Sequence, residues 1–388
     1  MKRLTIFLMF WWAAMSVMAQ GVLCQRLDSL LRDEMFETSQ VGLMVYDLTA
    51  DSVVYEHNSR QLMRPASTMK LLTAITALDG LGSDYLFTTR ILYTGDLVDS
   101  CLTGTLYCVG GFDPMVSDGD VNAMAGNLRA AGINRFSGTI VADHSMKEDK
   151  EYGEGWCWDD DNPRLLPLTI GRKDVFSIRL MREMEFCGIA MDDVGLNIGR
   201  CPAQAQLLCQ CVRSIDEVLT RMMKMSDNFC AEAMFYQIAT LSGRHPCRAS
   251  AAAAQERQLL RRIGISDQAY RIADGSGLSL YNYVTAELQT LLLRYAWRNR
   301  RIYDNLLPTL PIAGVDGTLD KRMLKTSAAG NVRAKTGTLT GISSLAGYCT
   351  AANGHELAFC IINQGVMRTQ TGRNFQDRVC VALCDPME

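Results

Sequence analysis

Arg64-Pro65-Ala66-Ser67-Thr68-Met69-Lys70 runs into an alanine- and leucine-rich stretch, and the two together read as a helix over 66–78 introduced by a proline. Helical positions three apart share a face, so the Lys70 amine can reach the Ser67 hydroxyl. Serine is a weak nucleophile until an adjacent base takes its proton. A helix start adds partial positive charge that steadies a developing alkoxide. Lysine serves as base only when neutral, which requires burial or nearby positive charge. Taken alone, the same pattern also describes a helix cap followed by a surface lysine.

Two elements further along decide between these readings. Ser226-Asp227-Asn228 stands before an apolar helical stretch at 231–238. Serine and asparagine two positions apart in a loop can point together into a cleft, one relaying a proton and the other holding a substrate amide. Simple capping would use the same residue types. Lys335-Thr336-Gly337-Thr338 lies within a strand-like run at 332–339. On an edge strand, Lys335 and Thr336 can bind a free carboxylate, and Gly337, without a Cβ, lets a peptide lie alongside as an added strand. Backbone N–H groups of Ser67 and Thr338 would then form an oxyanion hole. Ser-x-x-Lys, Ser-x-Asn and Lys-Thr-Gly in this order are the signature of penicillin-interacting serine enzymes.

The chain resembles the class C low-molecular-mass penicillin-binding proteins, D-alanyl-D-alanine carboxypeptidase/endopeptidases of the S13 peptidase type. The likeness extends over nearly the whole chain after residue 19. It rests on the three motifs, on Asp274-Gly275-Ser276-Gly277-Leu278-Ser279, and on Leu310-Pro311-Ile312-Ala313-Gly314-Val315-Asp316-Gly317-Thr318-Leu319. Gly110-Gly111-Phe112-Asp113-Pro114 and Gly155-Trp156-Cys157-Trp158-Asp159-Asp160 resemble signatures of that family's extra domain. Phe112 replaces a usual glycine, Leu280 stands where arginine is common, and the stretch between Lys70 and Ser226 is shorter than usual.

The resemblance implies an α/β fold of the serine β-lactamase/DD-peptidase kind, an antiparallel sheet flanked by helices with a smaller inserted domain. It implies acylation of Ser67 by a penultimate D-Ala carbonyl, with Lys70 as base and Ser226 passing the proton to the departing group. Asn228 would hold the substrate amide, and Lys335 with Thr336 the terminal carboxylate. Peptidoglycan peptides ending in or cross-linked through D-Ala are the implied substrates, and β-lactams the implied covalent inhibitors. No metal or organic cofactor is implied.

Composition agrees with a globular enzyme. The 388 residues exceed one ordinary domain, and a net charge of −3 gives no footprint for nucleic acid. Lys2 and Arg3, the apolar run 4–14 and Val17-Met18-Ala19 read as a signal peptide over 1–19, hence an exported, periplasmic protein with no membrane span after cleavage. The catalytic domain is expected from 20–95 and 213–388, with 96–212 inserted. Strands near both ends of the chain suggest one sheet built from both termini. Helical spacing continues over 215–238. The segment 176–212 is too short for a further core and reads as a helix near 179–187 and a strand near 194–198. Fourteen cysteines and four histidines form no metal pattern, and Cys101 with Cys108 is the first pair to consider for a disulfide.

Two rivals remain. A class A β-lactamase needs an extra glutamate to activate the deacylating water. Glu232, Glu256 and Glu287, the glutamates between Asn228 and Lys335, sit outside the loop motif of those enzymes. A non-catalytic wall-binding protein would have no use for Lys70, Ser226 and Lys335 together.

Overall fold

The computed structural model describes residues 21–160, 163–266 and 268–385, so the expected signal peptide at 1–19 lies outside the described residues. A helix at 21–30 (α1) precedes strands β1 (Gln40–Asp47) and β2 (Ser52–His57). A 3-10 turn at Ala66–Met69 runs into α2 (Lys70–Gly80). Next come β3 (Leu86–Val98), β4 (Cys101–Val109), α3 (Asp118–Ala130), β5 (Arg135–Asp143), α4 (Phe176–Phe186), β6 (Ala190–Ile198) and β7 (Gln206–Ser214). Helices α5 (Ile215–Lys224), α6 (Asn228–Thr240), α7 (Ala249–Arg262), α8 (Ala286–Arg298) and α9 (Arg300–Leu306) follow. The chain then forms β8 (Arg333–Leu339), β9 (Ile342–Thr350), β10 (Glu356–Gln364) and α10 (Thr369–Cys384).

The first sheet has the order β2-β1-β10-β9-β8 and is antiparallel throughout, so strands from both ends of the chain meet as expected. Its centre is buried on both faces: β9 is covered along nearly its whole length, and β10 carries Leu357 to Ile362 as an unbroken apolar run. Side chains alternate between faces along a strand. Ala358, Cys360 and Ile362 therefore join the core under α2, α6 and α8, while Leu357, Phe359 and Ile361 pack beneath α1 and α10. Truncating a fully buried ring such as Phe359 to alanine costs about 3–5 kcal/mol. The central helices α2 and α6 are apolar around most of their circumference, which suits them to the interior. That rigid centre carries Ser67, Lys70 and Asn228.

The second sheet has the order β6-β5-β4-β3-β7, with α3 and α4 packed on one face. β4–α3–β5 and β5–α4–β6 are crossovers between parallel strands. Three expectations need correction here. The boundary at 95/96 falls inside β3, whose pairing with β4 continues through Gly95↔Gly104 to Val98↔Cys101. The sheet of the insertion thus begins at Leu86. The segment 176–212 does supply a helix and the strand β6, without a third core, but it also enters β7, which pairs with β3 along the opposite edge. Cys101 and Cys108 lie on the single strand β4, about 23 Å apart at strand rise, too far for a disulfide. The helical run over 215–238 is two helices parted at Ser226, which has a left-handed φ of 58°, in keeping with the loop reading of Ser226-Asp227-Asn228.

Candidate active site

Ser67 sits on the turn that feeds α2. The turn starts at Ala66 with φ 49°, a costly conformation for a residue with a Cβ. It is braced from outside: a Cβ on Gly277 would stand 1.9 Å from the Ala66 carbonyl oxygen, so only glycine fits against it. Thr68 Oγ1 donates to the Pro65 carbonyl at 2.8 Å and accepts from Gln289 Nε2 at 3.0 Å. Lys70 Nζ lies 2.9 Å from Ser67 Oγ, 2.7 Å from Asn228 Oδ1 and 2.7 Å from the Ser276 carbonyl.

The second motif is set by its middle residue. Asp227 is the N-cap of α6, one carboxylate oxygen accepting from the Cys230 N–H at 3.1 Å. The other accepts from Arg221 Nε at 2.8 Å and from the Arg172 guanidinium, which the insertion supplies. With Asp227 fixed, Ser226 and Asn228 turn to opposite partners in one cleft. Asn228 meets Lys70, and Ser226 Oγ accepts from Lys335 Nζ at 2.8 Å.

β8 is an edge strand, as the Lys-Thr-Gly reading required. Its close approach to the Ser67 turn depends on Gly337, where a Cβ would lie 2.2 Å from Ser344 Oγ, 2.8 Å from the Pro65 carbonyl and 2.9 Å from the Ser67 amide nitrogen. Lys335 is fully buried beneath the strand, and its acceptors are Ser226 Oγ and the Thr336 carbonyl at 2.7 Å. The Thr336 hydroxyl donates to Thr318 Oγ1 at 2.7 Å, and Thr338 is exposed. The eight residues singled out in the sequence, Ser67, Lys70, Ser226, Asn228, Lys335, Thr336, Gly337 and Thr338, are thus brought into one cluster.

Burial pushes the Lys70 amine down to about 8, although the charges of Asp274, Glu232 and Asp227 pull the other way. Burial, reinforced by the charge of Lys70, drives Lys335 well below the ordinary lysine range. Of the two routes to a neutral lysine, burial and nearby positive charge, it is burial that lowers Lys70. Burial also pushes Asp227 up, but its hydrogen bonds from Arg221 and the Cys230 amide, with the Arg172 charge, outweigh this and hold it low.

A supporting layer was not anticipated. Asp274 is buried and accepts from Gly277 N at 2.8 Å, Ser279 N at 2.7 Å, Asn282 Nδ2 at 2.7 Å and Trp156 Nε1 at 2.9 Å. Glu232 accepts from the Ser276 N–H at 2.8 Å, so the residue whose carbonyl holds Lys70 is fixed at its amide as well. Burial and the Asp274 charge raise Glu232 to about 8. The only sequence signal for these roles was the Asp274–Ser279 run itself. Phe112, one of the departures, adopts φ 56° and fills a fully buried site against Phe229 and Tyr236. The Leu280 carbonyl accepts from Arg64 Nε at 2.9 Å, and the Arg64 guanidinium lies over the Tyr283 ring.

The family described as D-Ala-D-Ala carboxypeptidase 3 (S13) matches residues 23–166 and 174–384 of the chain. The chain is 25% identical over 414 residues to D-alanyl-D-alanine carboxypeptidase DacB of Haemophilus influenzae, covering 85% of this chain and 86% of that protein. It is 27% identical over 442 residues to D-alanyl-D-alanine carboxypeptidase of an Actinomadura species, covering 87% and 80%. Its fold is similar to the crystal structure of penicillin binding protein 4 from Haemophilus influenzae, with a TM-score of 0.83 at 23% identity over 91% of this chain and 99% of that one.

Proposed function

The chain belongs to the D-Ala-D-Ala carboxypeptidase 3 (S13) family, and from that membership we propose that it is a serine-type D-Ala-D-Ala carboxypeptidase and endopeptidase acting on peptidoglycan stem peptides through a Ser67 acyl-enzyme. The observation that carries the reading is the pair of contacts Lys70–Ser67 and Lys335–Ser226 on opposite sides of one cleft.

The substrate lies along β8 as an added strand, with its penultimate D-Ala carbonyl at Ser67. As the Ser67 Oγ–carbon bond forms, the Oγ proton passes to Lys70, which burial has made a base. The oxyanion is received by the backbone N–H groups of Ser67 and Thr338. Ser226, held by Lys335, delivers a proton to the departing nitrogen as the amide C–N bond breaks. Asn228 holds the substrate amide, and Thr336 with Lys335 beneath it receives the terminal carboxylate. Water then cleaves the ester and restores Ser67. The departing amine is D-Ala in the carboxypeptidase reaction and the neighbouring stem peptide in the endopeptidase reaction. β-Lactams acylate the same serine.

The catalytic unit is formed by both ends of the chain around the first sheet, with an insertion starting at Leu86 around the second. The leader-like 1–19 segment supports a periplasmic location for the enzyme. Among the described residues no helix is long and apolar enough to cross a membrane.

Incubation with purified pentapeptide monomers and cross-linked dimers, analysed by mass, tests this function. Loss of one D-Ala from the monomer and conversion of dimer to monomers are expected. Intact substrates with a fully folded protein would refute it, and rapid turnover of penicillin in place of a lasting acyl-enzyme would favour the β-lactamase reading.

A further inference from the structure

Lys335 acts on a substrate carboxylate only from beneath β8. Lys335 is fully buried, and its ammonium is committed to Ser226 Oγ and the Thr336 carbonyl. Thr336 and Thr338, two apart on β8, point to the side opposite Lys335 and Gly337. A carboxylate arriving on that side finds two hydroxyls and needs a cation.

The fold supplies one from its last helix. Thr338 pairs in register with Ser343, and α10 packs its first turn against that residue: a Cβ on Gly372 would lie 2.9 Å from Ser343 Cβ. The next residue is Arg373, whose Nη2 lies 3.4 Å from Thr338 Oγ1, a long contact easily exchanged for a stronger acceptor. Its charge is not spent elsewhere. Asp377, one helical turn on, is held by Arg322, and among the described residues no carboxylate is within ion-pair distance of Arg373. A guanidinium offers a planar fork of donors matched to a carboxylate.

We infer that Arg373 is a specificity-determining residue that binds the terminal carboxylate of the substrate together with Thr338. The inference rests on the reading of β8 as the substrate-docking strand. It predicts that this enzyme distinguishes a free carboxylate from a neutral ester at that position, and that Arg373 is the reason.

The test compares Ser67 acylation by benzylpenicillin and by its methyl ester, in the unsubstituted protein and in Arg373→Ala, Arg373→Gln and Arg373→Lys. The ratio of the two rates, acid over ester, is expected to fall roughly tenfold or more in the alanine and glutamine variants, the scale of one hydrogen bond to a charged group, and to recover in part with lysine. Glutamine retains length and a donor for Thr338, which guards against a loss caused by misfolding. An unchanged ratio in Arg373→Gln that still labels at Ser67 would overturn the inference. Failure of the unsubstituted protein to label at all would overturn the parent reading, and this one with it.

Discussion

Lys335 Nζ lies 2.8 Å from Ser226 Oγ, a contact that joins the edge strand of the first sheet to the loop between α5 and α6. On the proposed mechanism, this sets the lysine beside the proton path to the leaving group. Lys335→Met, which keeps the length and removes the ammonium, is expected to slow acylation about 100-fold or more. The loss should be similar for acid and ester forms of penicillin. A change confined to the acid form would mean that Lys335 acts on the carboxylate alone.

The acid limb of acylation should follow Lys70. A fall from the ordinary 10.5 to about 8 means that roughly a quarter of the molecules carry the neutral base at pH 7.5, against about one in a thousand for an exposed lysine. Below pH 8 the amine is protonated, and the rate should drop about tenfold per pH unit. A stopped-flow profile of penicillin acylation checks this. A rate still climbing at pH 10 would show that burial does not tune Lys70.

Gly337→Ala should separate folding from catalysis. The added methyl meets Ser344 Oγ, the Pro65 carbonyl and the Ser67 amide, all within 3.0 Å, so β8 must move away from the nucleophile turn. A stability loss of about 1–3 kcal/mol is expected, together with loss of Ser67 labelling far beyond what that destabilisation explains. Near-normal labelling would mean the oxyanion pair does not require this approach.

The three motifs were legible because each couples a chemical requirement to a local element; 332–339 could be recognised as a strand, while its edge position was a condition of the Lys335-Thr336-Gly337 reading that the sheet order meets. What escaped was set by contacts distant in sequence. Gly95 reads as a strand end, yet β3 continues through it because it lies opposite Gly104, whose neighbour Thr103 leaves no room for a Cβ at 95. The break at Ser226 is marked only by the capping residue types of Ser226-Asp227-Asn228, since apolar helical spacing persists on both sides. β7 carries Leu207-Leu208-Cys209, with no clean alternation to announce a strand. The tuning of Lys70 depended on how deeply α2 is buried, which no spacing reveals.

Asp274→Ala tests the supporting layer. It leaves the amides of Gly277 and Ser279, the indole of Trp156 and the amide of Asn282 without their acceptor. A loss of about 3 kcal/mol or more is expected by chemical denaturation. Acylation should fall as well, because the Ser276 carbonyl that holds Lys70 belongs to the same loop. Unchanged stability would show that water replaces the carboxylate.

The central claim is that Ser67 alone becomes acylated. The direct measurement is mass-spectrometric mapping of the adduct after incubation with labelled penicillin, beside Ser67→Ala treated identically. The account predicts one adduct per chain, on the peptide containing Ser67, with neither label nor peptide cleavage in the variant. An adduct on any other residue, or cleavage of D-Ala-D-Ala peptides surviving in Ser67→Ala, would contradict it.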